Sequence, residues 1–236
     1  MAKHKKYEPH HPGATSNLNK LRAAVLGADD GIVSIAGLVV GVAGATSSRS
    51  TIFAAGMAGV LAGAISMAAG EYVSVSSQRD TERALLRLEK HELETAPNEE
   101  LEELIQIYIN KGLSAKTAEV VAKELTQKDA YRAHLDAELA INPEDLVNPW
   151  QAATASALSF LAGAILPMLA ILLPSQNLRV PTTFISVIAA LAFTGILSAR
   201  IGKAPIRPAV VRVVIGGALA MIITYGVGHL IGTSSL

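Results

Sequence analysis

The chain has 236 residues, half of them hydrophobic, with a mean hydropathy of +0.38 and only 17% charged side chains. A soluble domain of this size normally carries far more charge, which argues against an ordinary water-soluble fold. The absence of cysteine excludes disulfides, thiolate metal sites and cysteine nucleophiles. The formal net charge is zero, and its distribution gives no indication of a nucleic-acid partner.

Long apolar stretches are the main feature of the chain, and each is near the length needed to cross about 30 Å of hydrocarbon. Five occur in order, at 21–45, 52–75, 152–173, 180–199 and 209–231. They predict an all-α integral membrane protein with five transmembrane helices per protomer. Small residues recur at four-residue spacing in the first two, at Gly27 and Gly31, Gly37 and Gly41, and Gly59 and Gly63. Ordinary close packing of helices is the better interpretation for most of these pairs, and a dimer contact remains possible for some.

The remaining sequence divides the chain into four predicted segments. These are a disordered amino terminus at 1–19, transmembrane helices one and two at 20–75, a helical insert at 76–148, and transmembrane helices three to five at 149–236. No helix-breaking residue separates the second apolar stretch from residues 76–93, so we expect that helix to continue into the insert.

The basic residues predict the orientation in the membrane. Lysine and arginine concentrate in the amino terminus and in the loop at 200–207, whereas the opposite side has only Arg49 and Arg179. The positive-inside rule then places the amino terminus and the insert in the cytoplasm and the carboxyl terminus on the other side. We expect a cell inner membrane or a vacuole-type membrane.

The insert is acidic and helical in pattern. It holds 16 of the 20 acidic residues against 9 basic ones, a net charge of −7. Leu101, Leu104, Ile105 and Tyr108 form one apolar stripe at helical spacing. Ser114 is in the position of an N-cap for the helix that follows.

An acidic residue inside a membrane span is costly and by default marks a pathway or a buried partner. Asp30 lies well inside the first span, and we interpret it as functional. Asp29 points about 100° away on the helix and is interpreted as an interfacial carboxylate.

Met67 and Glu71 are four residues apart in the second span and therefore share a helix face. A thioether above a carboxylate suits a transition ion such as Fe(II) better than calcium or magnesium. The alternatives are simple packing for the methionine and a solvated helix end for the glutamate.

Three pairs of metal-ligating residues lie one helical turn apart in the insert, namely Glu89 and Glu92, Glu100 and Glu103, and His134 and Glu138. Paired carboxylates on facing helices are how helical bundles hold divalent ions. Each pair alone is also compatible with a solvated helix face. Acidic residues near the amino terminus of a helix, such as Glu100 and Glu103, are also explained by their favourable interaction with the helix dipole. Three pairs in one insert of net charge −7 favour a metal-binding domain.

No phosphate loop, dinucleotide fingerprint, serine nucleophile elbow or zinc-protease motif is present in the sequence. We therefore expect no enzyme and no organic cofactor. Ferroxidase chemistry on the paired carboxylates is the least favoured possibility, and it would require two irons within a few ångströms of each other.

The stretches "LRAAVLGADDGIVSIAGLVVGVAGA" and "AGVLAGAISMAAGEYVSVSSQRD", followed by a glutamate-rich insert and three spans, resemble the vacuolar iron transporter family over nearly the whole chain. The resemblance implies a homodimer of five-helix protomers whose second helix extends into a cytoplasmic metal-binding domain. It also implies proton-coupled movement of Fe(II), and often Mn(II), out of the cytosol.

The resemblance also assigns residues. The family's aspartate in the first span falls on Asp30 and its methionine in the second span on Met67. Its insert glutamates fall on Glu89, Glu92, Glu100, Glu103 and Glu138. The chain differs from the family pattern at Gly59, where some relatives have a glutamate, and at His134 and Leu135, where relatives have methionines.

The sequence therefore predicts a transporter that exports Fe(II) or Mn(II) in exchange for protons. The insert would capture the ion, and Glu71, Met67 and Asp30 would form the transport pathway. The alternative is a metal-sensing membrane adaptor, in which the insert binds ions and the spans only anchor and dimerise.

Overall fold

A computed structural model describes the backbone of residues 12–234 and the side-chain surroundings of residues 24–233, apart from Asp145. The described residues are all-helical without any β-strand, as predicted. The α-helices are α1 Pro12–Ala45, α2 Arg49–Thr95, α3 Pro97–Asn110, α4 Ala115–His134, α5 Pro149–Leu172, α6 Arg179–Ile201 and α7 Ile206–Ser234. A π-helical turn, Leu135–Leu139, continues α4 directly.

Five helices of the described chain are long and apolar enough to cross a membrane, which confirms the predicted number of spans. They cover Ala24–Ala45, Arg49–Thr95, Pro149–Leu172, Gln176–Ile201 and Ile206–Thr233. The second helix runs without interruption from its apolar half into the charged residues that follow Tyr72.

Part of the segment 1–19, for which the sequence predicts disorder, is helical in the structure. Helix α1 begins at Pro12 and includes residues 13–19. Proline is well tolerated in the first turn of a helix, and no second proline interrupts the polar residues between it and the apolar span. Residues 1–11 lie outside the described residues.

The chain forms two compact units. One joins the chain up to Glu71 with Gln151 and everything after it, and is called the membrane unit here. The other is Tyr72–Trp150, called the insert unit.

In the membrane unit, α1 packs against both α6 and α7, and all five spans contribute to one apolar core. The most completely buried side chains include Val39 on α1, Ile52 on α2, Phe160 on α5, Leu191 on α6 and Met221 on α7.

Glycine allows the closest helix contacts in the membrane unit. A Cβ at Gly31 would collide with the carbonyl of Phe160 on α5, and one at Gly163 with the carbonyl of Ala28 on α1. On the other side of α1, the backbone of Gly41 lies against Gly228 of α7. These contacts lie within one protomer, so they support the packing interpretation of the glycine pairs on α1.

The insert unit has a small core of its own. Leu104, Ala122 and Ala133 are buried together, with the rest of the predicted α3 stripe packed against them. The amide of Thr117 donates to Ser114 Oγ at 3.3 Å, which confirms the predicted N-cap of α4. Helix α4 is interrupted by extended backbone at Asp129.

Candidate metal centre and intramembrane cavity

Three ionisable side chains converge in the insert unit. His134 is fully buried, and Glu89 and Glu100 are only 3% and 7% exposed. One ligand atom from each lies within 4.8 Å of the others, although the three come from α4, α2 and α3. Such a group of carboxylate oxygens and an imidazole nitrogen is a donor set that suits Fe(II) or Mn(II). We call these three residues the Glu–His cluster.

The distances within the cluster centre on His134. Its Nδ1 atom lies 3.0 Å from Glu89 Oε1 and 3.6 Å from Glu100 Oε2. A third carboxylate, Glu138 in the π-helical turn, places its Oε2 at 3.6 Å from the same nitrogen, with 32% of the side chain exposed. Three carboxylates thus approach the same ring nitrogen of His134.

The backbone around Asp129 positions His134. Asp129 Oδ1 accepts a hydrogen bond from the amide of Arg132 at 2.9 Å and so acts as an N-cap for the last part of α4. The hydroxyl of Tyr131 donates to the carbonyl of Leu86 at 3.2 Å, which fixes this turn against α2. The π-helical turn that starts at Leu135 then presents Glu138 beside His134, and such turns are frequent at functional sites.

The first turn of α3 positions Glu100. Two acids occupy this turn, Glu99 and Glu100, and the helix dipole favours both. Glu99 is exposed, whereas Glu100 is buried beside the core residue Leu104 one turn later. Interaction with the dipole alone does not require burial, so the placement of Glu100 points to a further partner.

Several polar atoms of the cluster have no hydrogen-bond partner among the described residues. They are Glu89 Oε1 and both ring nitrogens of His134, all of them buried. The 3.0 Å approach between Glu89 and the imidazole therefore lacks hydrogen-bond geometry. Buried polar groups are normally paired, because leaving one unpaired costs roughly 1–3 kcal/mol. Electron-pair donors that face each other in this way fit a site for a cation.

The electrostatics of the cluster agree with this interpretation. Burial, together with repulsion from Glu138 and the other nearby glutamates, raises the pKa of Glu89 to about 7. Burial also raises the pKa of Glu100, although the nearby imidazole partly opposes this rise. A carboxyl group whose pKa is raised to about 7, as for Glu89, is partly protonated at neutral pH and releases its proton when a cation binds.

The other predicted insert ligands lie outside the buried group. Glu92 is half-buried and Glu103 is exposed. Both contribute to the repulsion that raises the pKa of Glu89, so they lie close enough to act electrostatically. The structure therefore divides the predicted ligands into a buried group and an outer acidic group that contains Glu92, Glu103 and Glu138.

A cavity of about 220 Å³ in the membrane unit is lined by both Asp30 and Met67. The hydroxyl of Ser34, one turn after Asp30, donates to its Oδ1 at 3.0 Å. Ser66 and Gly59 also line the cavity, so its wall contains a carboxylate, a thioether and two hydroxyls. This is a polar site within an otherwise apolar set of helices.

The neighbouring acids are placed differently from Asp30. Asp29 is half-buried, and its Oδ1 has no hydrogen-bond partner among the described residues. Glu71 is half-buried and does not line the Asp30–Met67 cavity. The structure thus brings together two of the three predicted pathway residues.

Sequence reasoning missed Ser34 and Ser66. Ser34 is four residues after Asp30, and this spacing could have identified it as a hydroxyl on the same helix face. Ser66 is adjacent to Met67 in sequence, and only the packing of α2 against α1 turns it toward the cavity.

Fold and sites together define an all-α integral membrane protein with an acidic helical insert, in which two polar clusters have the chemistry of cation ligands. The sequence profile of the VIT family matches residues 21–229, and the chain belongs to this family.

Curated relatives agree with this assignment. A protein of Acanthamoeba castellanii named vacuolar iron transporter is 40% identical, and the alignment covers 96% of this chain and 84% of that one. Vacuolar iron transporter homolog 1 of Arabidopsis thaliana is 37% identical, with 92% and 85% covered. Vacuolar iron transporter homolog 1 of Oryza sativa is 38% identical, with 90% and 74% covered.

Proposed function

We propose that this protein transports Fe(II), and also Mn(II), across its membrane and out of the cytosol in exchange for protons. The names of its relatives support iron as the cargo. The observation that carries the proposal is the cavity among the spans, in which the carboxylate of Asp30 and the thioether of Met67 face the same space. An anchor that only held the insert at the membrane would not need an acid at this depth.

In this proposal the Glu–His cluster is where the insert captures the ion. Glu89, Glu100 and His134 supply two carboxylates and one imidazole, and Glu138 can approach the same ion. Glu92 and Glu103 attract cations to the insert by their charge. The imidazole stands where the family pattern has a methionine, and it provides a nitrogen ligand that both Fe(II) and Mn(II) accept.

The pathway through the spans uses Asp30 and Met67, with Glu71 as a further carboxylate. A carboxylate binds a metal only when it is deprotonated, so an arriving ion displaces a proton and a departing ion allows one to return. This exchange couples the two fluxes without a separate proton carrier. The carboxyl group of Asp30, hydrogen-bonded to Ser34, is the proposed coupling residue.

We propose further that the protein works as a homodimer, with the amino terminus and insert unit in the cytoplasm and the carboxyl terminus on the opposite side. The distribution of basic residues supports this orientation. The membrane is a cell inner membrane or a vacuole-type membrane.

Flux in proteoliposomes tests the proposal. Vesicles containing the protein, a fluorescent iron reporter and a pH dye are exposed to Fe(II), and wild type is compared with Asp30→Asn. With wild type, we expect iron to enter the vesicles and protons to leave them. We expect the iron flux of the variant to be roughly tenfold lower than that of wild type, or lower still. Asp29→Asn is the matched control, since it removes the adjacent acid without changing the cavity.

The adaptor alternative predicts a different result. In that case Fe(II) binds to the protein but does not cross the membrane in wild type or in any variant. The Asp29→Asn and Asp30→Asn variants then give the same iron flux. Competition by Mn(II) for iron flux in the same vesicles tests the second cargo.

A further inference from the structure

A second cavity lies in the membrane unit at the end of the bundle where α1 ends and α6 begins. It has a volume of about 550 Å³, within the range typical of small-ligand sites. Its wall includes Thr46 and Ser47 from the loop after α1, Gln176 and Asn177 from the 3₁₀-helical turn before α6, and Arg179. None of these residues takes part in the proposed metal pathway.

Arg179 is the unusual member of this wall. Its side chain is only 7% exposed, although a guanidinium group cannot lose its charge in a protein. Its Nη1 donates to the carbonyl of Ser47 at 2.9 Å, whereas its buried Nε has no hydrogen-bond partner among the described residues. A buried cation with an unused donor requires a counter-ion.

Among the described residues, no carboxylate side chain lines this cavity. No Asp or Glu occurs after Asp145, and none lies between Asp30 and Glu71. The ion pairs of the described residues all lie between Glu89 and Glu138, within the insert unit. The guanidinium group of Arg179 therefore has no carboxylate partner among the described residues.

The amino-terminal end of α6 adds positive electrostatic potential to that of the Arg179 guanidinium group. Arg179 is the first residue of the helix, whose first turn has no acidic residue and whose N-cap, Leu178, makes no side-chain hydrogen bond. The amino-terminal end of a helix carries partial positive charge from its aligned peptide dipoles. Guanidinium and helix terminus together favour an oxyanion, which the amide and hydroxyl groups of Asn177, Gln176 and Thr46 can also bind.

From these observations we propose that the cavity around Arg179 binds a phosphate-type oxyanion, which supplies the counter-ion that no described residue provides. Two sources share this chemistry, the phosphate group of an anionic lipid at the membrane boundary and free inorganic phosphate. The proposal is independent of ion transport, because it concerns a different cavity and is tested without Fe(II) or Mn(II).

Thermal stability of the full-length protein in detergent tests the proposal. The apparent midpoint is measured from the folded protein that survives heating, as seen by size-exclusion chromatography. One arm adds inorganic phosphate, with sodium chloride at equal ionic strength as reference. The other arm adds phosphatidylglycerol, with phosphatidylcholine as reference. We expect one probe to raise the midpoint by about 3 °C or more at saturation.

Two arginine variants show where the probe acts. Arg179→Gln should abolish the rise, because it removes the buried charge. Arg49→Gln is the matched control, since Arg49 is an exposed arginine at the same end of the bundle that donates to the carbonyl of Pro174. The Arg49→Gln variant should show the same rise in thermal midpoint with the probe as wild type does.

Asn177→Asp covers the case in which Arg179→Gln fails to fold. This nearly isosteric change places a carboxylate in the cavity wall, so it should raise the midpoint without any probe and remove the response to the probe. A response to inorganic phosphate identifies a free oxyanion as ligand, and a response to phosphatidylglycerol alone identifies a lipid headgroup. The proposal is overturned if neither probe stabilises wild type, or if Arg179→Gln or Asn177→Asp responds as wild type does.

Discussion

The imidazole of His134 is fully buried and lies within 3.6 Å of carboxylate oxygens from Glu89, Glu100 and Glu138. Neither ring nitrogen has a hydrogen-bond partner in the described part of the chain. A histidine used only for packing would normally satisfy at least one nitrogen. The carboxylates around His134 and its unpaired ring nitrogens therefore favour a role as a metal ligand.

The first prediction concerns this side chain. His134→Gln should weaken Mn(II) binding to the full-length protein by roughly 10- to 100-fold, because one ligand and the geometry it sets are lost. Titration followed by electron paramagnetic resonance of free Mn(II) measures the change. His91→Gln is the control, since His91 is exposed on the same helix as Glu89. Equal affinities for the two variants would contradict the assignment.

The raised pKa of Glu89 predicts how metal binding depends on pH. Because burial and neighbouring carboxylates raise this pKa to about 7, the group is largely protonated below pH 7 and must release its proton to bind. Mn(II) affinity should rise with pH up to about 7, by about tenfold per pH unit for each proton displaced, and then level off. Calorimetry at pH 6 in buffers of different ionisation enthalpy counts the protons released. The Glu89→Gln variant should release about one proton fewer than wild type when Mn(II) binds.

The same shift predicts the stability of the metal-free protein. A carboxyl group whose folded-state pKa lies above its unfolded value stabilises the fold at low pH, and this contribution is lost as pH rises through the folded pKa. Burial raises the pKa of both Glu89 and Glu100, so the two act in the same direction. With a chelator present, the thermal midpoint of the insert should be lower at pH 8 than at pH 5.5. Mn(II) should reverse this loss at pH 8, and a midpoint independent of pH would contradict the prediction.

At the scale of elements, helix α1 is the centre of the membrane unit and glycines determine how closely its neighbours approach. Gly163 of α5 lies directly against the backbone of Ala28, whereas Gly216 of α7 has open space where its Cβ would be. Asp30, two residues after Ala28, lines the cavity, so this contact also holds the cavity wall in place.

A matched pair of glycine substitutions tests this contact. Gly163→Ala should lower the apparent thermal midpoint, because relieving the collision costs about 1–3 kcal/mol. Gly216→Ala should leave it unchanged or slightly higher, since alanine is the better helix former by about 1 kcal/mol. Heating the detergent-solubilised variants side by side measures both, and two effects of the same sign would argue against the packing described.

His134 and Glu138 meet at the junction between α4 and the π-helical turn that follows it. In a regular helix, residues four apart share a face, but the π-helical turn after His134 alters that register. The interruption at Asp129 and the bond from Tyr131 to α2 set where the turn begins. These features lie in the backbone and in contacts distant in sequence, so residue spacing alone does not predict them.

At the scale of the whole molecule, capture and transport are assigned to different units, so substitutions should separate them. Asp30→Asn should keep Mn(II) binding by the insert unit and lose flux, because Asp30 belongs to the membrane unit. Glu100→Gln should weaken Mn(II) binding and reduce flux chiefly at low ion concentration. Flux and binding measured on the same preparations test this. If the Asp30→Asn variant lost Mn(II) binding by the insert unit, the assignment of capture and transport to different units would be contradicted.

The all-helical class, the five spans and the continuous second helix could be predicted from the sequence, because hydrophobic length and the absence of helix breakers are local properties of the chain. Asp30, Met67 and the three pairs in the insert were predicted as ligands from residue type and helical spacing, and these assignments stay predictions. The N-cap at Ser114 followed from residue type in the same way.

Which of these side chains become buried and lie close together depends on tertiary packing, and residue type and spacing do not predict it. Glu89 and Glu92, like Glu100 and Glu103, are chemically equivalent in sequence, and packing alone buries one of each pair. It likewise leaves Glu71 outside the Asp30–Met67 cavity and buries Arg179 without an acidic partner. Burial and convergence depend on residues distant in the chain, and burial is what turns an ordinary charged residue into one that needs a ligand.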